Sequence, residues 1–238
     1  MTISSLPGGG YPDNRRRMMM DIKYETIPWI SENLVMCFCG KHNNITGHIA
    51  NPGIWWDWSG NGHDMTLQDT NNILSYEFGD SFLWLPTWDT NSRYDLPWID
   101  LSDVNKPNDG YTLEFTAYSG GVWFRDNTGG LVNNNSYGGG TLNSGVWGKG
   151  IGTSVNKNVT HSYSFLLGYS EQKVYKDGVL NGSLANSHTQ AISRFAMWLS
   201  YDARYVRNRW YAIRLYNRVL TEAEVVTNFK VDKHRYKF

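Results

Sequence analysis

The hydrophobic pattern of this chain has the short period of a sheet protein. Leu34-Val35-Met36-Cys37-Phe38-Cys39 is an unbroken apolar run of strand length, too short for a helix, and reads as a strand buried on both faces or nearly so. Tyr111 to Tyr118 alternates strictly, placing Tyr111, Leu113, Phe115 and Ala117 on one face and Thr112, Glu114 and Thr116 on the other. On this pattern Glu114 is the polar face of an alternating strand, and Val122-Trp123-Phe124-Arg125 is its antiparallel partner. Further strands are predicted over Ile73 to Phe78, Ser81 to Leu85, His161 to Leu167, Gln172 to Lys176, Phe195 to Leu199 and Trp210 to Tyr216.

The breaks between these runs carry turn chemistry. Asp177-Gly178 is a two-residue hairpin signal, because both central positions of such a turn need positive φ, and Asn181-Gly182 marks the next reversal. From Asp126 to Thr153 the chain is almost all Gly, Asn, Ser and Thr, which means either short strands joined by tight turns or one long exposed loop. Only one helix is predicted. Thr221-Glu222-Ala223-Glu224 is a capping box, and Val225, Val226 and Phe229 supply an apolar stripe behind it.

Composition agrees with an all-β domain: 238 residues, 40% apolar, 15% aromatic and 24 glycines. Lys+Arg and Asp+Glu are both 22, so no basic footprint points to nucleic acid and no acidic one to a basic partner. The basic residues gather between Arg194 and Lys237, among interleaved strand residues, which predicts a solvated or partner-facing edge. Cys37 and Cys39, on one face of one strand, read as buried thiols rather than a disulfide or a zinc pattern. No apolar run is long enough to span a bilayer, and Met18 to Met20 after the basic run is cut short by Asp21, so neither a membrane segment nor a leader is expected.

Candidate chemistry lies in three places. Trp55 to Leu67 sets Asp57, Ser59, Asn61 and Asp64 around Gly60 and Gly62. Oxygen carriers at alternate positions match the first half of a calcium loop. The twelfth position is Gln68 rather than a bidentate glutamate, so the stretch reads either as a braced turn or as a Ca2+ site completed from elsewhere. In the Gly/Asn-rich stretch, Tyr137 and Trp147 stand among the amides of Asn133 and Asn135. Rings that cover the apolar face of a pyranose beside amides that bond its hydroxyls are how a glycan site is built; rigid loop packing is the other cause of such a pattern. Before about Ile30 the chain has no period. It carries Gly8-Gly9-Gly10 and the basic run Arg15, Arg16 and Arg17, and is expected to be an extended arm over residues 1–30 that lies against a neighbouring subunit.

Four segments together resemble a known family. The strand Leu34 to Phe38, the turn Trp56-Asp57-Trp58-Ser59-Gly60-Asn61-Gly62-His63-Asp64, the hairpin Tyr175-Lys176-Asp177-Gly178 and the run Arg214-Leu215-Tyr216-Asn217-Arg218-Val219-Leu220-Thr221-Glu222-Ala223-Glu224 are similar to the concanavalin A-like, laminin G-like domains. The last run looks like that family's final strand entering its carboxy-terminal helix, with Asn228 where such domains often carry Asn. The resemblance covers residues 31–238. It implies a two-sheet antiparallel jelly-roll sandwich with one short C-terminal helix, of the kind found in gut bacterial surface proteins and phage structural proteins. Relatives that hydrolyse glycosides carry Glu-x-Asp-x-x-Glu on a strand; Glu114 has no second carboxylate beside it, and no nucleophile elbow is present, so no enzyme is expected. Two functions remain: a structural or interaction component of a phage virion, as a capsid decoration or fibre-associated protein, or a carbohydrate-binding module of a bacterial surface. Partners are then other protein subunits and glycans, and the location is the virion or the bacterial cell surface.

Overall fold

The computed structural model describes residues 29–41, 54–67, 77–78, 83–85, 94–95, 98–118, 123–126, 129–134, 141–144, 151–154, 156, 159–185, 191–199 and 208–238. Two antiparallel sheets face each other. The first has eight strands: β1 (Leu34–Cys39), β4 (Glu77–Phe78), β5 (Leu83–Leu85), β8 (Gly110–Tyr118), β13 (Thr160–Gly168), β14 (Gln172–Lys176), β15 (Val179–Leu184) and β17 (Asn208–Tyr216). Its order is β15-β14-β13-β8-β17-β5-β4, with β1 also on β17. The second has seven: β6 (Tyr94–Asp95), β7 (Ile99–Asp100), β9 (Trp123–Asp126), β10 (Gly129–Asn134), β11 (Thr141–Ser144), β12 (Gly152–Ser154) and β16 (Arg194–Leu199). Its order is β12-β11-β10-β9-β16-β6, with β7 also on β16. A separate hairpin, β2 (Ile54–Trp55) with β3 (Met65–Thr66), flanks the tryptophan-rich turn.

Rings from both sheets meet in the middle. Phe115 of β8 lies 5.0 Å from Phe124 of β9, and Phe124 meets Trp210 of β17 edge-on at 5.7 Å; all three are fully buried. These contacts explain why β9 does not pair with β8, as its sequence position suggests. Both edges of β8 are taken, by β13 and β17, and the chain crosses to the second sheet so that Phe124 can face Phe115 across the core. The described parts of the Gly/Asn-rich stretch form short strands, β10 to β12. At Asp177 and Gly178 the predicted hairpin appears with φ of 52° and 75°, the positive values that a primed turn requires.

The outward face of the first sheet is covered by helix α1 (Glu222–Tyr236), which enters through the predicted capping box: Thr221 Oγ1 accepts from the Glu224 amide (3.3 Å), and Glu224 Oε2 accepts from the Thr221 amide (2.8 Å). Arg218 grips both Glu224 oxygens (2.9 and 2.6 Å), and this pairing, joined by the Thr221 donors, holds the carboxyl down to about 2 despite partial burial. A carboxyl whose folded pKa is depressed contributes its stability fully above the ordinary carboxylate range and loses it as the pH falls through the folded value. Glu224→Gln, which keeps a capping-box side chain but loses the charge pair, is therefore predicted to be less stable than the parent by about 0.5–1 kcal/mol at neutral pH. Acid denaturation series on the two proteins should show that gap close between about pH 4.5 and about pH 2.

Candidate functional site

The face of α1 that meets the sheet is not the apolar stripe the sequence suggests. Val225 is buried there, but Val226 and Phe229 are only half-buried, and Asn228, Asp232 and Arg235 turn inward. They meet a polar row on β8, because Thr112, Glu114 and Thr116, on the face opposite the core, are all covered. Arg214 of β17 is completely buried and forms the hub. Its Nη1 and Nη2 donate to the two oxygens of Asp232 (2.8 and 2.7 Å) and its Nε to Glu114 Oε2 (3.1 Å). Ser164 and Asn228 complete Glu114 at 2.8 and 2.7 Å, and Thr116 and Trp29 complete Asp232 at 2.6 and 2.8 Å.

Two sequence expectations are corrected here. Glu114 is not on a solvated polar face, and the basic run toward the C-terminus is not a solvated edge at its two inner members, because α1 covers Arg214 and turns its own Arg235 inward. Burial pushes the Glu114 carboxyl up despite the adjacent guanidinium. Burial opposes the charge on Arg214 as well, yet Asp232 and Glu114 more than reverse it and hold the guanidinium well above its usual range. Both carboxylates are therefore occupied in fastening the helix. The chain entering the domain is fastened to the same place: Trp29 lies under the Arg235 guanidinium (3.9 Å), and the Ile30 amide donates to Asn228 Oδ1 (3.0 Å).

The tryptophan-rich turn is a second closed network. Asp57 Oδ1 accepts from the amides of Cys37 (2.8 Å) and Ser59 (2.9 Å), and Oδ2 from Ser59 Oγ (2.7 Å) and the His63 amide (3.0 Å). Asp64 Oδ1 accepts from the Asp57 amide (2.8 Å), while Asn61 Nδ2 donates to the carbonyls of Leu34 and Val35 (2.8 Å each). The four residues named as calcium candidates thus converge, but on one another and on β1. The Asp57 side chain is fully covered, and both its oxygens point at protein donors. Among the described residues no group of three or more His, Cys, Asp or Glu is placed to hold a metal ion. A cation would have to evict three backbone amides from Asp57, so melting midpoints in millimolar calcium and in EDTA are predicted to coincide; a separation of several degrees would overturn this geometry. Cys37 and Cys39 are the buried free thiols the spacing predicts, with burial pushing Cys37 far up and Cys39 Sγ 3.2 Å from the Tyr236 hydroxyl.

A third arrangement lies on the second sheet. Val132, Phe124, Phe195 and Met197 face the core. The strand registers place Asn143, Asn133, Trp123, Trp198 and Asp95 at successively opposed positions, in one row across β11, β10, β9, β16 and β6. Arg125 lies in the next row, opposite Ala196, and Arg194 in the one after, opposite Asp100. The Arg194 guanidinium stacks on Trp98 at 4.2 Å, and Trp98 is 39% exposed. Of the glycan candidates named from sequence, Asn133 falls in the row, while Asn135, Tyr137 and Trp147, like Arg15, Arg16 and Arg17, lie outside the described residues. Trp123, Trp198 and Asn143 carry no local sequence signal for a shared site, because only cross-strand register brings them together.

The molecule is an all-β, two-sheet antiparallel jelly-roll sandwich closed by a C-terminal helix. Known structures share that architecture: Trypanosoma rangeli sialidase at a TM-score of 0.54 and 15% identity, over 91% of this chain and 36% of that one; the binding domain of Paraclostridial Mosquitocidal Protein 1 at 0.53 and 15%, over 84% and 52%; and the binding domain of botulinum neurotoxin DC, in complex with rat synaptotagmin II, at 0.54 and 10%, over 85% and 52%. The chain spans only about a third to a half of the length of these proteins, and at such identities the likeness is one of fold. No family model and no curated protein matches the chain.

Proposed function

We propose that the chain is a non-enzymatic recognition module that contacts protein or glycan partners, and that it does so as a phage virion component, a capsid decoration or fibre-associated protein. The observation that carries the first part is the fate of the inner carboxylates. Glu114 and Asp232 are saturated by Arg214 and its neighbours, and Asp57 by amides, so no pair of acids described here flanks a space in which a substrate bond could be broken. Recognition is also the role printed for two proteins of like fold, the toxin binding domains. Support for an assembly comes from the amino-terminal residues, where Gly8 to Gly10 and Arg15 to Arg17 precede the anchor at Trp29 and suit contacts with other subunits. Mass spectrometry of purified virions tests this part: the chain recovered at stoichiometric abundance supports it, and its absence from every particle removes it.

The exposed Trp98 on the second sheet, with the Arg194 guanidinium stacked on its ring, favours a second reading, a carbohydrate-binding module of a bacterial surface. A glycan array probed with the whole chain tests it, and a flat response would remove it.

A further inference from the structure

Resting on the glycan-binding reading, we infer that Trp98, Arg194 and Asp100, at the β7 end of the second sheet, form a site for one acidic sugar, a pyranose that carries a single carboxylate.

The register of β7 on β16 brings the three together. Ile99 and Phe195 are directly opposed and both are buried in the core, so Trp98, Asp100 and Arg194, which alternate with them, belong to the other face. All three are exposed, Trp98 at 39%. The exposure is local. Ala196, the next residue of β16 on that face, is buried, which confines the site to the end of the sheet and its ligand to a single ring. The frame beneath is fixed: the amide of buried Leu101 donates to the Ser193 carbonyl (2.9 Å), and the amide of buried Ile192 donates to Tyr111 Oη (3.0 Å). Positions are therefore set before a ligand arrives.

Arg194 is the member that calls for a ligand. Arg214 and Arg218 are spent on carboxylates, whereas Arg194 has neither a hydrogen bond nor an ion pair among the described residues. Its guanidinium lies over the Trp98 ring, 4.2 Å from the centroid, a stacking that orients the plane while its N–H donors stay unused. The acid opposite does not take it up. Asp100 Oδ1 accepts from the Ser102 amide (2.9 Å), and the Ser102 amide and hydroxyl hold the carboxyl below its usual range.

A carboxylated sugar has a part for each residue. Its planar carboxylate matches the guanidinium fork with two parallel hydrogen bonds. The apolar face of the ring covers exposed indole, and the hydroxyls donate to Asp100, which as an ionised carboxylate only accepts. A neutral sugar would leave Arg194 unused. A densely sulfated chain would set several anions against one cation and beside Asp100, so one carboxylate among hydroxyls is the better match.

The experiment uses the full-length chain on an array of sialylated, uronic-acid, sulfated and neutral glycans. Calorimetry then compares the strongest hit with the same glycan as its methyl ester, and the parent protein with Arg194→Gln, Arg194→Lys and Trp98→Ala. The expected result is binding confined to carboxylated glycans, and a loss of roughly tenfold or more for the ester, for Arg194→Gln and for Trp98→Ala, with partial recovery in Arg194→Lys. Sialylated against uronic-acid hits identify which sugar supplies the carboxylate. Thermal melts report whether each variant folds, and the ester comparison needs the parent protein alone. Undiminished affinity for the ester, full affinity in folded Arg194→Gln and Trp98→Ala proteins, or hits restricted to neutral or sulfated glycans would overturn the site while leaving a glycan-binding protein. A flat array for the parent chain would instead overturn the glycan reading itself, and the site with it.

Discussion

Arg214→Ala is expected to destabilise the domain by about 3–5 kcal/mol, enough to leave little of a typical domain's stability. Arg214 is the cation that joins two covered carboxylates, and its removal leaves Glu114 and Asp232 buried without that counter-charge. Ser164, Asn228, Thr116 and Trp29 would still donate to the two acids, but none brings a charge. Arg214→Lys should recover only part of the loss, since a single ammonium cannot reproduce the two-pronged contact with Asp232 and the third bond to Glu114. Urea unfolding followed by tryptophan fluorescence measures this. A loss below about 1 kcal/mol for the alanine variant would mean that the helix is held by its apolar contacts, Leu166, Tyr175, Tyr216, Leu220 and Val225, rather than by the network.

Asp57→Ala is expected to cost about 2–4 kcal/mol, the scale of leaving several covered donors without acceptors. Four hydrogen bonds end on this one side chain, and two of the donors, the amides of Cys37 and His63, belong to buried residues. The loss should also be local: the β2–β3 hairpin and the turn between its strands would detach from β1, where Trp58 donates to the Cys37 carbonyl at 2.7 Å. Hydrogen exchange on the variant is predicted to show faster exchange over residues 54–67 than over β8 and β13. Asp57→Asn keeps one good acceptor and should fall between the two proteins.

How much of this could be read from the chain depends on the range of the interaction. Period-two alternation found β8 and put Tyr111, Leu113, Phe115 and Ala117 on the core face, because side-chain direction in a strand is set by the residue's own position. Local turn and cap chemistry placed the Asp177-Gly178 hairpin and the Thr221 capping box. What alternation cannot tell is what covers the other face. Glu114 looks solvated until α1, more than a hundred residues later, brings Asn228 to it, and Asp232 to the neighbouring Arg214. The same limit applies to the row on the second sheet. Asn133 was within reach of a local reading as an amide in a polar stretch, whereas Trp123 and Trp198 come to opposed positions only through the pairing of β9 with β16. The partnership of β9 was misassigned for a related reason: adjacency along the chain favours a hairpin, but the core needed Phe124 opposite Phe115 rather than beside it.

The central claim is that this fold recognises its partner and leaves it unchanged. The direct measurement is to incubate the full chain with the oligosaccharides it retains, then read both the retained ligand and the supernatant by mass spectrometry over several hours. Ligand recovered intact, with no new reducing end and no released monosaccharide, is the predicted result. Time-dependent product whose rate scales with the amount of chain added would contradict it.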